Sequence, residues 1–257
     1  QIIKTYQQKD GRIVYVENKK NYGCSESRNI GLTYAQAETI AFMDDDDQYA
    51  DDETLKCLLS QMKYECCDIV IADYEVDDDL KRMDIFGRNF KYNIVQRPGP
   101  FLQCILIKKK IITKIDVVFD SRAIPSEDWD FFITISKLNP IVSYCACTTF
   151  KWKLNQDSQS LDFLKEANAL AYICKKHKKY ITENVGSKIM SCHYRRIARV
   201  YEKIDAIKQV KVFYKKAFQE YSVSIKNIFY FIMIVIGYRR TKACIEWVRK
   251  VRGVPNV

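Results

Sequence analysis

The chain of 257 residues has a net charge of +10, and 47% of its residues are hydrophobic and 13% aromatic. This composition excludes a disordered protein and fits one large domain, or one domain with a helical addition. The ten cysteines form no CxxC pair and no zinc-ligand spacing, which indicates reduced core thiols in a cytoplasmic protein.

The charge is divided unevenly along the chain. Residues 161–257 hold 21 Lys and Arg against 7 Asp and Glu, a balance of +14, whereas residues 1–160 hold 21 against 25, a balance of −4. The basic part favours an anionic partner, either a membrane surface or a nucleic acid, although a solvated lysine-rich helical surface explains it equally well. We therefore separate a region 1–160 from a basic region 161–257.

Strand and helix patterns alternate in the first part of the chain. Alternating or apolar runs predict strands at 12–17, 39–43 and 68–73. Amphipathic runs predict a helix at 25–37 with Ser25 as its cap, and a second at 52–62. The stripe of the second helix consists of Leu55, Leu58, Leu59 and Met62. This order predicts an α/β fold with a largely parallel sheet, in which ligands bind at the carboxyl ends of strands.

Beyond residue 74 the pattern is less regular. Residues 75–100 suggest a long loop or lid, 101–107 a strand or short helix, 124–138 a helix capped by Ser126, and 140–154 one or two strands. After residue 160 the pattern is helical. The apolar run 228–236 is too short for a bilayer span, which needs about 20 residues. With basic flanks, the segment 226–242 is either a peripheral membrane contact or a buried core helix.

Four carboxylates follow the apolar stretch 39–43 directly, in the order Asp44, Asp45, Asp46 and Asp47. In an extended segment alternate side chains share a face, so Asp44 and Asp46 are expected to point the same way. Two carboxylates at the end of a parallel strand suit Mg²⁺ or Mn²⁺ bridging a diphosphate. Acidic runs are also common on surfaces, but the position after the apolar stretch 39–43 and before Tyr49 distinguishes this one.

Three other clusters are candidates for a site. Glu127 and Asp128 fall in the first turn of a helix, where they either cap it or provide a general base for an incoming hydroxyl. Arg28 and Asn29 lie early in a helix, and Arg28 either binds a nucleotide or forms a surface salt bridge. Trp152, among basic and amide residues, either faces a sugar or phosphate or packs in the core.

Three motifs in this order resemble family 2 glycosyltransferases of the GT-A fold. The pattern G-x-S-x-A-R-N-x-G is matched over residues 23–31, with Ser27 in place of Ala, and A-x-G-E-Y-I-x-F-x-D-x-D-D over residues 35–47, with Ala37 and Thr39 as departures. The third motif is the Glu-Asp pair at 127–128. The resemblance covers about residues 12–160, and it implies a GT-A-like sheet flanked by helices, followed by a helical C-terminal region at 161–257.

The resemblance also implies roles for these residues. Asp128 and Glu127 are the catalytic pair. Asp128 deprotonates an acceptor hydroxyl, which attacks the anomeric carbon with inversion. The donor, a nucleotide sugar and most simply a UDP-sugar, is bound by a set comprising Arg28, Asn29, Asp44, Asp45 and Trp152. Asp46, with Asp44 and Asp47, holds Mn²⁺ or Mg²⁺ on the diphosphate. The resemblance thus predicts a hexosyltransferase acting on a glycan or lipid-linked acceptor in cell-surface polysaccharide synthesis.

One departure concerns the start of the chain. Family members begin with a strand, a helix and a second strand that read the base, and residue 1 corresponds to the helix after them, so roughly 35 to 40 residues are expected to be missing. An alternative is therefore a catalytically incomplete remnant that only binds partners or membrane. Nucleic-acid binding is not expected, because the tail lacks such a motif. We expect a cytoplasmic protein at the inner face of the plasma membrane.

Overall fold

The computed structural model describes residues 2–152, 162–239 and 241. The chain divides into two compact units, Gln1–Gln156 and Asp157–Val257. The predicted boundary between residues 160 and 161 lies outside the described residues, as do Arg240 and Lys242 of the segment 226–242.

The first unit alternates helices and strands. Its elements are α1 (Ile2–Lys9), α2 (Gly23–Tyr34), β1 (Thr39–Ala41), α3 (Thr54–Tyr64), β2 (Ile69–Val76), β3 (Asp79–Lys81), α4 (Asp84–Arg88), α5 (Phe90–Gln96), β4 (Ile105–Lys108), α6 (Lys109–Ile112), α7 (Glu127–Ser136) and β5 (Val142–Trp152). Short 3-10 turns occupy Leu102–Cys104 and Ser121–Ala123. The predicted α/β fold with a sheet flanked by helices is therefore confirmed.

The prediction of a mostly parallel sheet is wrong. The strand order is β1-β4-β2-β3, and these neighbours pair antiparallel, whereas β5 pairs with β2 in parallel. β1 and β2 do run in the same direction, as a strand-helix-strand unit requires. The later strand β4 inserts between them in the opposite direction, and the pattern of residues 39–73 contains no information about this insertion.

The run at 12–17 forms no strand, contrary to the prediction. Its Val14 is 58% exposed, and no described strand pairs with it. A strand is stable only beside a partner that accepts its backbone hydrogen bonds, so alternation alone did not decide its conformation. The helix predicted at 25–37 begins two residues earlier, at Gly23, and Ser25 is buried inside it instead of capping it.

Residues 75–100 are also more ordered than the predicted loop or lid. β2 and β3 form a hairpin whose turn residues Asp77 and Asp78 both have positive φ, the conformation that tight hairpins require. The chain then forms α4 and α5, which bury Phe86, Phe90 and Ile94. Gly87 lies so close to Tyr144 that an added Cβ would overlap its side chain.

The core of the first unit lies on both faces of β2. The residues from Ile69 to Ala72 are fully buried, and α3 packs Leu58 and Met62 against them, whereas Leu55 and Leu59 remain over one third exposed. On α7 the indole of Trp129 donates to the carbonyl of Ile94 at 2.7 Å. This bond fixes α7 on α5 and so positions its first turn.

The second unit is helical, as predicted. Its described helices are α8 (Phe163–Lys176), α9 (Lys178–Lys203), α10 (Ile207–Glu220) and α11 (Ile225–Ile236), and α9 is interrupted at Gly186, whose φ is +78°. The side chain of Asn227 is fully buried and donates to the carbonyls of Ala217 and Tyr221 at 3.0 and 2.6 Å. Asn227 thereby links α11 to the end of α10.

Helix α11 contains the whole apolar run 228–236, and it buries little of it. Met233 is buried, but the apolar side chains on one arc of the helix are 40% or more exposed. That arc consists of Ile225, Ile228, Phe229, Ile232, Val235 and Ile236. The interpretation of this run as a fully buried core helix is therefore wrong for the part of the chain described. Among the described residues, no helix combines the length and apolar character that crossing a membrane requires.

Candidate active site

The candidate site lies at one edge of the sheet. β1, β2 and β5 run in the same direction, so their carboxyl ends meet at that edge. The acidic run follows β1 there, and Trp152 ends β5. β4 runs in the opposite direction, so the turn Leu102–Cys104 that precedes it lies at the same edge. This agrees with the general position of ligands in such sheets.

The guanidinium of Arg28, on α2, joins the carboxylates of two motifs. It donates to Asp44 Oδ1 at 2.7 Å and to Glu127 Oε1 at 2.8 Å, and it lies 3.8 Å from Asp128 Oδ1. Burial acts to lower the pKa of Arg28, but the hydrogen bond to Asp44 and the charge of Asp128 outweigh it and raise the pKa. The alternative of a surface salt bridge does not describe this side chain, which is only 16% exposed.

Asn29 contributes to the site through the backbone of Phe119. Its amide donates to the carbonyl of Phe119 at 2.9 Å and accepts from the amide of the same residue at 3.0 Å. The ring of Phe119 then lies 5.7 Å from the Arg28 guanidinium. Because its hydrogen-bonding groups are engaged in this way, Asn29 orients Arg28 through Phe119. Its predicted contact with a donor stays a prediction.

The acidic run forms a turn and not the extended segment that we expected. The amide of Asp47 donates to the carbonyl of Asp44 at 3.2 Å, which brings these two residues together, whereas Asp45 and Asp46 are exposed. The amide of Gln103 donates to Asp44 Oδ2 at 2.9 Å and to Asp47 Oδ2 at 2.6 Å. Burial raises the pKa of Asp47, as do its acidic neighbours, while the bond from Gln103 lowers it.

The carboxylates of the pair at the start of α7 have different environments. Glu127 is 8% exposed and accepts from Arg28 and from the thiol of Cys24. The side chain of Asp128 is 25% exposed and accepts from the backbone amide of Leu102 at 3.3 Å. Burial and the charge of Glu127 raise the pKa of Asp128 to about 7, against the opposing effect of Arg28. Asp128 is thus the more accessible carboxylate and titrates near neutrality.

Trp152 belongs to an aromatic cluster at this edge. Its ring centroid lies 5.4 Å from that of Phe101, which in turn packs edge-on against Tyr74 and Phe150. Trp152 is half-buried, so one part of the ring packs and another part faces solvent. The residues 153–161 of the predicted loop lie outside the described residues.

The carboxylate oxygens of the acidic run are suitable ligands for a hard divalent cation. Asp44 Oδ2 and Asp47 Oδ2 converge on a single amide group, which occupies a position close to both oxygens. Carboxylate oxygens are the ligands that Mg²⁺ and Mn²⁺ prefer, together with phosphate oxygens and water. Exposed Asp46, next to these residues, is a third possible ligand.

Sequence reasoning missed Gln103 and Phe119. Gln103 is 7% exposed and bridges two carboxylates of the run, and Phe119 supports Arg28. The signal for Gln103 was available, because it is the one polar residue of the apolar stretch 101–107. A polar side chain buried there needs a hydrogen-bond partner. No such signal marks Phe119, whose position depends on the fold.

Comparison with known proteins shows which chains this one resembles. Residues 1–119 match the family described as "Glycosyl transferase family 2". The match covers the first 119 of the 257 residues, so the chain is similar to this family over that part. An uncharacterized glycosyltransferase of Methanocaldococcus jannaschii is 32% identical over 150 residues, which are 52% of this chain and 48% of that protein. The glucosyltransferase WfgD of Escherichia coli, named as acting between UDP-Glc and α-D-GlcNAc-diphosphoundecaprenol, is 24% identical over 168 residues, or 64% of each chain.

Solved structures show the same fold. TarS 1–349 of S. aureus, solved in complex with UDP-GlcNAc, superposes with a TM-score of 0.57 over 93% of this chain and 78% of that chain, at 14% identity. Its complex with UDP gives a TM-score of 0.53. The GT-A fold inferred from the sequence is therefore confirmed. The chain spans about half to two thirds of the length of the curated relatives that it matches.

Proposed function

We propose that this chain is an inverting, metal-dependent glycosyltransferase that moves a sugar from a nucleotide-sugar donor to a hydroxyl of a lipid-linked glycan. The observation that carries the proposal is the position of Arg28, which holds Asp44 at the end of β1 and Glu127 at the start of α7. The two acidic motifs therefore form a single site, with a donor half and an acceptor half.

In the proposed reaction Asp128 is the general base. The acceptor hydroxyl transfers its proton to Asp128 as its oxygen attacks the anomeric carbon, and the bond from that carbon to the diphosphate oxygen breaks on the opposite face. A base with a pKa near 7 is largely ionised at slightly alkaline pH and still accepts a proton effectively. Glu127 holds Arg28 in place, since its carboxylate is buried against the guanidinium.

The donor half consists of the acidic run and its neighbours. Asp44, Asp46 and Asp47 would hold Mn²⁺ or Mg²⁺, which offsets negative charge on the departing diphosphate. Arg28, Asn29, Asp45 and Trp152 complete the donor set, Trp152 through the exposed part of its ring. The UDP donors of WfgD and TarS support a UDP-sugar here, and the diphosphoundecaprenol-linked acceptor of WfgD supports a lipid-linked acceptor.

Helix α11 supports a peripheral membrane contact in the segment 226–242. Its exposed apolar arc is adjacent to the exposed side chains Lys226 and Arg239, an arrangement typical of helices that lie in a membrane interface. We place the protein at the inner face of the plasma membrane, where a lipid-linked acceptor for polysaccharide synthesis is available.

Transfer and donor binding are measured separately to test this function. Calorimetry of the chain with UDP should show binding with Mn²⁺ and none without it, and Asp46→Asn should abolish this binding. Asp128→Asn should keep binding and reduce transfer by about 10²–10⁴-fold, the usual contribution of a general base. Asp52→Asn, at an exposed residue near the run, is the matched control. Metal-dependent binding without transfer by any tested donor would instead indicate a binding module.

Flotation with vesicles tests the membrane contact. The chain should float with vesicles that contain anionic lipid and less with neutral ones, because basic side chains add electrostatic attraction. The double variant Phe229→Ser and Ile232→Ser should stay in the lower fraction, whereas Leu164→Ser, at another exposed apolar residue of the helical unit, should float. Equal flotation of both variants would exclude α11 as the contact.

A further inference from the structure

Three cysteines from two elements meet on the sheet face that α3 covers. Cys57 lies on α3, and Cys145 and Cys147 lie on β5. Their sulfur atoms all lie within 4.8 Å of one another, and the sulfurs of Cys57 and Cys145 are 3.4 Å apart. Because residues 57 and 145 are far apart in the chain, no spacing rule for metal-binding cysteines could have found this group.

The local structure of β5 explains how the group forms. Alternate residues of a strand share a face, which places Cys145 and Cys147 on the side of α3. The pairing of β5 with β2 shifts here, since Ala72 pairs with Cys145 but Asp73 with Thr148. The irregularity leaves Cys147 without a paired residue on β2, and its thiol is half-buried.

We propose that Cys57, Cys145 and Cys147 form a binding site for a thiophilic metal ion of the Zn²⁺ type. Thiolate sulfur is the soft ligand that Zn²⁺ and Cu⁺ prefer in proteins. Two sulfurs on one tetrahedral Zn²⁺, with bonds of about 2.3 Å, are roughly 3.8 Å apart. The sulfurs of Cys57 and Cys145 are slightly closer than this, and all three separations are below 4.8 Å, so the sulfurs reach it with shifts of about 1 Å or less.

The surroundings allow an ion to enter and to be held. Cys145 is 7% exposed and belongs to the apolar cluster of Leu58, Met62 and Val70, whereas Cys57 and Cys147 are half-buried at the border of that cluster. One cysteine is thus buried in the core, and the other two are partly accessible to solvent. The ion would connect α3 to β5, the strand that ends at Trp152. Its binding free energy would stabilise the unit Gln1–Gln156.

This site is distinct in chemistry from the acidic run. The run offers carboxylate oxygens, which suit Mg²⁺ or Mn²⁺ on a diphosphate, and the cysteine group offers sulfur, which does not. Zn²⁺ and Mn²⁺ should therefore bind at different places. The inference does not depend on the proposed function, because the fold alone brings the three sulfurs together.

Zinc titration of the reduced full chain under anaerobic conditions, in competition with a chromophoric chelator, tests the site. We expect one tightly bound Zn²⁺ per chain, and Cys57→Ser and Cys147→Ser should each weaken its binding by at least about tenfold. Both substitutions are at half-buried positions, where a serine is tolerated more easily than at Cys145. Cys66→Ser, at an exposed cysteine outside the group, and Asp46→Asn should leave Zn²⁺ binding unchanged.

A second measurement identifies the ligands directly. Bound Zn²⁺ should slow alkylation of Cys57 and Cys147 by iodoacetamide, as read by mass spectrometry of peptides, and leave the rate at Cys66 unchanged. Zinc affinity that is equal in the wild-type chain, Cys57→Ser and Cys147→Ser would overturn the proposal, and so would the absence of tight binding to a reduced, folded chain. In either case the three thiols only fill the core.

Discussion

The two compact units bury their polar side chains in different ways. In Gln1–Gln156 a charged side chain, Arg28, connects carboxylates at the open edge of the sheet. In the helical unit a neutral side chain, Asn227, receives a hydrogen bond from Arg195 and donates to two backbone carbonyls. A neutral amide that satisfies backbone groups holds helices together. The charged cluster of Arg28 lies where the candidate site is, whereas the amide of Asn227 lies between two helices.

The largest effect is expected from Arg28→Ala. Removal of the guanidinium leaves Glu127 buried without its cation, which should lower the free energy of unfolding by about 3 kcal/mol and abolish UDP binding. Urea denaturation and calorimetry measure the two effects. Arg12→Ala is the control, since its side chain is 91% exposed and its ion pair with Asp10 should contribute little to stability. Equal stability of the two variants would mean that the contacts of Arg28 with Asp44 and Glu127 do not stabilise the fold.

The next largest effect is expected from Asp128→Asn, which should be more stable than the wild-type chain at alkaline pH. The folded chain holds the proton of Asp128 up to a pKa of about 7, whereas the unfolded chain releases it near 3.8. Stability therefore falls as pH rises between these values, and because the side chain is one-quarter exposed the fall should be smaller than the effect of Arg28→Ala. Asp128→Asn has no ionisable group at this position, so its stability should not fall with pH in this way.

The pH series is measured without donor or metal. Asp128→Asn should unfold at higher urea concentration than the wild-type chain at pH 8, and the difference should shrink as pH falls toward 4. Asp52→Asn should show no such trend, because its side chain is exposed. A constant difference at all pH values would show that Asp128 is not held protonated. The site would then lack a base adapted to neutral pH.

Local signals in the sequence were sufficient for much of this unit. The alternation of helix and strand from α2 to β2 and the three motifs predicted the α/β fold, and the motif residues Arg28, Asp44 and Glu127 do contact one another in the structure. The buried positions Phe86, Phe90 and Ile94 follow a helical period of four, so α4 and α5 could also have been found inside the expected loop.

Other features depended on contacts that are distant in sequence. The direction of β4 between β1 and β2, the missing partner of residues 12–17 and the approach of Cys57 to Cys145 are all set by tertiary packing. The turn at Asp44–Asp47 is held partly by Gln103, more than fifty residues away. Patterns along the chain contain no record of such partners, which is why the acidic run was interpreted as extended.

Asn227→Ala tests the role of the buried amide in the helical unit. The substitution leaves the carbonyls of Ala217 and Tyr221 without this donor, which should lower the free energy of unfolding of the helical unit by about 2 kcal/mol. UDP binding to the folded chain should stay the same. Gln209→Ala, which removes an exposed amide from α10, should change stability by less than about 0.5 kcal/mol. Weakened UDP binding by Asn227→Ala alone would show that the two polar clusters are coupled.

The smallest effect is expected from Gln103→Leu. Leucine is close to glutamine in shape and leaves the apolar surroundings of residue 103 intact, so stability should change little. The carboxylates of Asp44 and Asp47, however, lose the amide that holds them together. Before a cation binds, their mutual repulsion then favours separated positions, and each binding event must bring them back.

We therefore expect Gln103→Leu to weaken Mn²⁺-dependent UDP binding by about tenfold, the equivalent of one hydrogen bond to a charged group. Gln48→Leu, at an exposed amide directly after the run, should bind as the wild-type chain does. Tighter Mn²⁺ binding by Gln103→Leu would show that the amide competes with the cation for the same oxygens. Gln103 would then occupy the metal position in the free protein, and the site would open only when the donor arrives.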